Sequence, residues 1–227
     1  MPYFELSKDE LTFPPAYFAD IDGLVAVGGN MDVRRLLLAY NSGIYYWHFP
    51  LKHIKWWSPD PRTVLLLNSF EVSENRLATL ENKFTCRLTT DFKKVLRRCQ
   101  HIYNIQDRMN EAWFSERAFR TFIALHQKGY VQAVEVWKEN ELVGGIFGVG
   151  IGKLFFTEYL FSTLKFADEF ALLYLIKKLK AEKYQIIDMQ KPTAFFEGIE
   201  YEELSRIEYV AICKRNSEKY ASEILNL

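Results

Sequence analysis

The sequence predicts an α/β (α+β) protein. A small N-terminal α/β domain, residues 1–62, precedes a larger domain, residues 63–227, built on a mixed, mostly antiparallel sheet. Three observations carry this. Turn signals cut the first 62 residues into short pieces. Two helical patterns between Phe92 and Lys128 give way abruptly to strand periodicity from Val131 to Phe161. A further helical pattern, Asp168 to Ala181, leads into a short apolar strand, Gln185 to Gln190.

Taken in order, Pro14-Pro15, Gly23, Gly28-Gly29, Gly43 and Pro59-Asp60-Pro61 punctuate the N-terminal part. Between them Asp32 can cap a short helix through Tyr40, with Leu36, Leu37 and Tyr40 at helical spacing. An aromatic cluster follows: Tyr45, Tyr46, Trp47, Phe49, Trp56 and Trp57. Thr63 to Leu67 reads as a buried strand. From Phe92 to Tyr103, Phe92, Val95, Leu96, Cys99, Ile102 and Tyr103 share one helical face, with Lys93, Lys94, Arg97 and Arg98 on the other. Ser115 can cap a helix that stops before Gly129. Val131 to Lys138, Glu141 to Val149 and Lys153 to Phe161 are strands joined by tight turns at Glu139-Asn140 and Gly150 to Gly152. Ile207 to Lys214 reads as a last strand, followed by a polar helical tail.

Composition narrows the function classes. The chain is 49% hydrophobic and 26% charged, the balance of a globular protein rather than a disordered one. Zero formal net charge argues against bulk electrostatic binding of nucleic acid but leaves room for a local basic patch. Cys86, Cys99 and Cys213 have neither metal nor redox spacing, which fits reduced thiols in the cytoplasm. His48, His53, His101 and His126 show no ligand spacing, so no metal is expected. The N-terminus lacks the basic start and apolar run of a signal peptide, and no segment nears the roughly 18 apolar residues of a membrane span.

The order of elements in residues 63–227 resembles the GCN5-related acetyltransferase fold. That fold implies a glycine-rich turn whose backbone N–H groups hold the CoA pyrophosphate at a helix start. The corresponding turn, Phe161-Ser162-Thr163-Leu164-Lys165-Phe166-Ala167, has no glycine, so acetyl-CoA is disfavoured as the donor.

Several segments resemble the leucyl/phenylalanyl-tRNA–protein transferase family. Trp56-Trp57-Ser58-Pro59-Asp60-Pro61-Arg62 matches the family's WWSPDPR block without change. Gly23 to Asn30 resembles GLLAxGGDL, and Arg35 to Trp47 resembles RLLxAYxxGIFPW. Glu135-Val136-Trp137, Glu141 to Val149 and Ile187-Asp188-Met189-Gln190 resemble EVW, ELVGGxYGV and IDCQ. The register runs from about Leu6 to Tyr209. Departures fall at the family's ESMFSR, here Glu158 to Thr163 with the arginine lost, at GTW, here Glu111-Ala112-Trp113, and at HxASLGA, here Phe195 to Tyr201.

The resemblance implies transfer of Leu or Phe, with Met as a further candidate, from aminoacyl-tRNA to a protein's N-terminal Arg or Lys. The product would feed N-terminal degradation. No cofactor is implied, because the ester is already activated. Asp188 would polarise or relay for the amine, and Gln190 would hold the amine or the ester carbonyl. Glu158 would bind the donor end, near the 3′ adenosine and the aminoacyl α-amine. Trp47 and Trp113 would contact the adenosine, and Ile146, Phe155, Leu160, Leu175 and Ile187 would line the pocket for the aminoacyl side chain. From spacing alone, Asp188 and Gln190 read first as a strand-end cap, Glu158 fits an edge strand facing water equally, and each apolar residue reads as plain core. The basic faces Lys93, Lys94, Arg97, Arg98 and Lys177, Lys178, Lys180 are candidates for the tRNA body, or simply solvated surfaces. The departures motivate a second acceptor rule, N-terminal Asp or Glu. A CoA-dependent N-acyltransferase and a non-catalytic binding module are the readings from other classes.

Overall fold

A computed structural model describes residues 3–48, 54–106, 115–191 and 199–218. It contains two sheets. The first runs β1-β2-β4-β3, formed by Phe4–Leu6, Leu24–Gly28, Ile54–Trp57 and Tyr45–His48. Helix α1, Val33–Asn41, packs beside it and is capped by Asp32, whose side chain accepts from Arg34 N. Arg35 is buried at the start of this helix and donates to the carbonyl oxygens of Ser7 and Glu10 at 2.9 and 2.6 Å. The N-terminal segment is thereby fastened to α1 by a cation that has given up its water.

The second sheet has seven strands, in the order β11-β5-β10-β9-β8-β7-β6. They are Glu202–Leu204, Arg62–Leu66, Ile186–Gln190, Leu154–Ser162, Glu141–Ile151, Val131–Lys138 and Thr85–Leu88. Among the described residues of this sheet, only β9 and β10 pair in parallel; its other pairs are antiparallel. This is the mixed, mostly antiparallel sheet expected.

Two apolar clusters sandwich the sheet. One face carries the N-terminal sheet, α1, α3 (Phe92–Gln106), α4 (Glu116–Gln127) and α6 (Arg206–Ser217). The other carries α2 (Glu74–Glu81) and α5 (Ala167–Ala181). Strand β8 serves the second face through glycines. A Cβ on Gly144 would lie 2.8 Å from the Ala167 side chain, and one on Gly148 would lie 2.6 Å from the Phe155 ring. α5 and Phe155 can approach the sheet this closely only because those positions are bare.

The last strand expected, Ile207 to Lys214, is instead α6. Ser205 accepts from Glu208 N while the Glu208 carboxylate accepts from Ser205 N, a complete capping box. The helical spacing then buries Tyr209 and Cys213 and leaves Ile207 75% exposed. The alternating apolar residues were read at period two; the Ser-x-x-Glu signal was the stronger guide.

Candidate active site

Pairing between β9 and β10 stops at Phe156 opposite Asp188, although both strands continue. The chemistry-bearing residues gather where the strands part. Two irregularities aim them. β9 carries an extra residue against the Phe147–Gly148 step of β8, and that residue is Glu158. The bulge turns Glu158 and Tyr159 toward the α1 face and sends Leu160 to the α5 face, where regular alternation would have kept Leu160 beside Glu158. In β10 the register shifts between Asp188 and Gln190, and Gln190 takes φ 64°. A non-glycine residue in that region is strained and persists only when its surroundings hold it.

Asp188 does the holding. Its Oδ1 accepts from Gln190 N at 2.8 Å and from Arg62 Nε at 2.8 Å. Its Oδ2 accepts from Arg62 Nη2 at 2.5 Å and from Tyr209 Oη at 2.7 Å. Both side chains of the ion pair are 1% exposed. The Arg62 guanidinium lies between the rings of Tyr45 and Tyr209, each 4.7 Å from its centre. With two donors on each oxygen, the acceptor sites of Asp188 are filled within the protein. It fixes the backbone of Gln190, whose side-chain Nε2 donates to Thr157 O at 2.9 Å.

Glu158 is different. It is half-buried, and Tyr40 Oη donates to its Oε1 at 2.5 Å. Tyr40 comes from the end of α1 and stacks on Phe156, with ring centres 4.7 Å apart. The Tyr46 hydroxyl also faces the carboxyl, without completing a hydrogen bond of good geometry. Burial pushes the Glu158 carboxyl up to about 8, against the pull of the two phenols and Arg62, and the Asp188 charge pushes the same way. Burial likewise holds the Tyr40 and Tyr46 phenols well above their usual range. At neutral pH the cluster is therefore a largely uncharged acid among phenols, able both to donate and to accept.

The sequence-derived residues sort by face. Glu158, Asp188 and Gln190 converge on the strand parting. Ile146, Phe155, Leu160, Leu175 and Ile187 all lie in the apolar cluster under α5, on the other side of the sheet from Glu158 and Asp188. Trp47 belongs to β3, opposite Lys55, and its side chain is outside the described residues, as is the whole of Trp113. Trp56 is core, its Nε1 donating to Gly28 O at 3.0 Å. Of the basic candidates, Arg97 pairs with Glu116, Arg98 with Glu141, Lys177 with Glu74 and Lys178 with Glu182. Lys93 and Lys94 are exposed, and Lys94 sits over the Trp137 ring beside a groove of about 440 Å³. Among the described residues no three His, Cys, Asp or Glu are grouped to hold a metal, and no helix is long and apolar enough to cross a membrane. Sequence reasoning missed Tyr40, Tyr46, Arg62 and Tyr209. The first three lie inside the motif blocks it quoted, and Tyr209 was hidden by the strand assignment.

A mixed, mostly antiparallel sheet covered by helices on both faces, with a hydrogen-bonded acid cluster where two of its strands part, defines the chain as an α/β protein. A solved aminoglycoside acetyltransferase from an uncultured soil metagenomic sample is similar in fold, with a TM-score of 0.42 and 9% identity over 52% of this chain and 83% of that one. The chain belongs to the leucyl/phenylalanyl-tRNA protein transferase family: the family's model matches residues 64–214, and the model of its N-terminal domain matches residues 29–60. The leucyl/phenylalanyl-tRNA–protein transferase of Syntrophobacter fumaroxidans is 38% identical over 95% of this chain and 92% of its own length. That of Hydrogenovibrio crunogenus is 38% identical over 95% and 85%.

Proposed function

We propose that this protein is an aminoacyltransferase that moves Leu or Phe from aminoacyl-tRNA to the N-terminal amine of proteins beginning with Arg or Lys, marking them for degradation. The observation that carries the reading is the parting of β9 and β10, with Glu158 on one face and a buried apolar cluster on the other. The aminoacyl side chain enters among Ile146, Phe155, Leu160, Leu175 and Ile187, a lining that selects by shape and area. Glu158, with Tyr40, holds the adenosine end. Trp47 and Trp113 contact the base, a contact worth about 1–3 kcal/mol when it is a stack.

The attacking α-amine has an ordinary pKa of about 7.7–8.0, so a large neutral fraction exists without a strong base. Rate then comes from placing amine and ester together and stabilising the oxyanion. Gln190 is the residue for that task. Its amide carries both a donor and an acceptor, and the Arg62–Asp188 pair sets its backbone. Asp188 acts through Gln190 and not as a base. The tRNA body lies along Lys93 and Lys94, whose charges are not matched by a carboxylate among the described residues in the way those of Arg97, Arg98, Lys177 and Lys178 are.

The helix start that serves CoA in acetyltransferases is unsuited to a pyrophosphate here. Phe166 occupies the cap at φ 76°, and the first turn of α5 carries Asp168 and Glu169. Purified protein, Leu-, Phe- and Met-tRNA, and peptides differing only at residue one test the reading. Transfer of Leu or Phe to Arg and Lys peptides is expected. Transfer to Asp or Glu peptides alone would replace the acceptor rule, and stabilisation by CoA without transfer from any tRNA would overturn the reading.

A further inference from the structure

On the α5 side of the sheet near the strand parting, the buried hydroxyls of Thr63 and Thr157 stand without a hydrogen-bond partner among the described residues. Their exposures are 0% and 8%. Leaving a buried hydroxyl unpaired is costly, so each needs a reason. Thr157 directly precedes the bulge and is the strand partner of Gly148. Alternation from Phe155, which lies in the cluster under α5, returns its side chain to that same face. It therefore faces the apolar cluster under α5, on the opposite face from its neighbour Glu158. Thr63 reaches the same face from β5, next to Leu65 in sequence alternation. β10 separates it from Thr157 by two strand spacings, roughly 10 Å.

We propose that the Thr157 hydroxyl accepts a hydrogen bond from the α-amine of the aminoacyl donor, making it a specificity residue that distinguishes an amino acid from a plain acyl group. The inference rests on the donor reading above. With the side chain seated among Ile146, Phe155 and Leu160, the donor's Cα lies at the pocket mouth. Cα carries two further groups. The ester carbonyl must face the incoming amine at Gln190, so the α-amine is the group left for the pocket-side wall. A hydroxyl with two lone pairs suits an ammonium or amine there. The bulge thus divides the donor between consecutive residues, the adenosine side to Glu158 and the amine to Thr157.

The test compares two stable adenosine derivatives carrying a 3′-amide, one phenylalanyl and the other 3-phenylpropanoyl, which differ only by the amine. Wild-type protein is expected to bind the first about tenfold more tightly, the scale of one hydrogen bond to a charged group. Thr157→Val should reduce that ratio to about twofold or less, while raising the melting temperature because the unpaired hydroxyl is gone. Thr157→Ser should keep the ratio. Thr63→Val should also raise the melting temperature and leave the ratio as in wild type. An unchanged ratio in Thr157→Val, or no discrimination by wild type, overturns the proposal. Failure of wild type to bind either compound overturns the donor reading itself, and this inference with it.

Discussion

At the scale of single residues, two carboxylates about one strand apart are set to opposite tasks by their surroundings. Asp188 receives a donor on every lone pair it can offer and a buried guanidinium beside it. Glu158 receives phenols and little water, and burial lifts its carboxyl from 4.5 to about 8 against the pull of those phenols. The sign of the consequence is fixed by linkage. In the unfolded chain Glu158 loses its proton near 4.5; in the fold it keeps it until about 8. Its contribution to stability is therefore whole below about 4.5, declines as pH rises through that window, and levels off above about 8. Glu158→Gln, which cannot ionise, should flatten the pH dependence of urea unfolding across that interval. A slope equal to wild type's would show that the carboxyl is not perturbed.

At the scale of elements, α6 matters more than its place at the end of the described chain suggests. It delivers Tyr209 to Asp188 and to one face of Arg62, and its start depends on the Ser205–Glu208 box. Ser205→Ala should cost about 1 kcal/mol. In a chain of 227 residues that lowers the melting temperature by about 2–4 °C. Thermal unfolding checks it, and no shift would mean that the cap is redundant. α6 is also where the sequence was hardest to read. Helices with one wet face were legible: α3 and α4 fall within a residue or a few of their expected bounds because half-burial writes the period into the sequence, and β7, β8 and β9, buried on both faces, were bounded by the tight turns between them. α2 and the short edge strand β6 were missed, since eight and four residues carry too few periods. The bulge at Glu158 was invisible too. An extra residue in one strand is defined only against its partner, and that partner is set by tertiary pairing.

At the scale of the whole molecule, one apolar cluster runs through both sheets. It joins Tyr40, Tyr45 and Trp56 of the N-terminal part to Phe147, Phe156 and Tyr209 of the larger part. The buried Arg62 follows directly on the loop between the sheets and is gripped by a ring from each part, Tyr45 and Tyr209. Residues 1–62 and 63–227, separable by sequence, are proposed to unfold together. Calorimetry should show one transition, and a fragment of residues 1–62 should lack the cooperative unfolding that two independent domains would display. The site itself was partly legible. Glu158, Asp188 and Gln190 came from the family resemblance, whereas their division of labour came from the hydrogen bonds around them. Tyr40 and Arg62 looked like ordinary motif residues until the fold brought them against carboxylates 118 and 126 positions further along the chain.

The most direct test of the account is single-turnover transfer of labelled phenylalanine from Phe-tRNA to an Arg-initiated peptide, by wild type and by Gln190→Ala. Wild type should form the peptide bond, and Gln190→Ala should bind Phe-tRNA normally yet react about 100-fold more slowly, the scale of a lost positioning and oxyanion contact. No transfer by wild type, or an undiminished rate in Gln190→Ala, would contradict it.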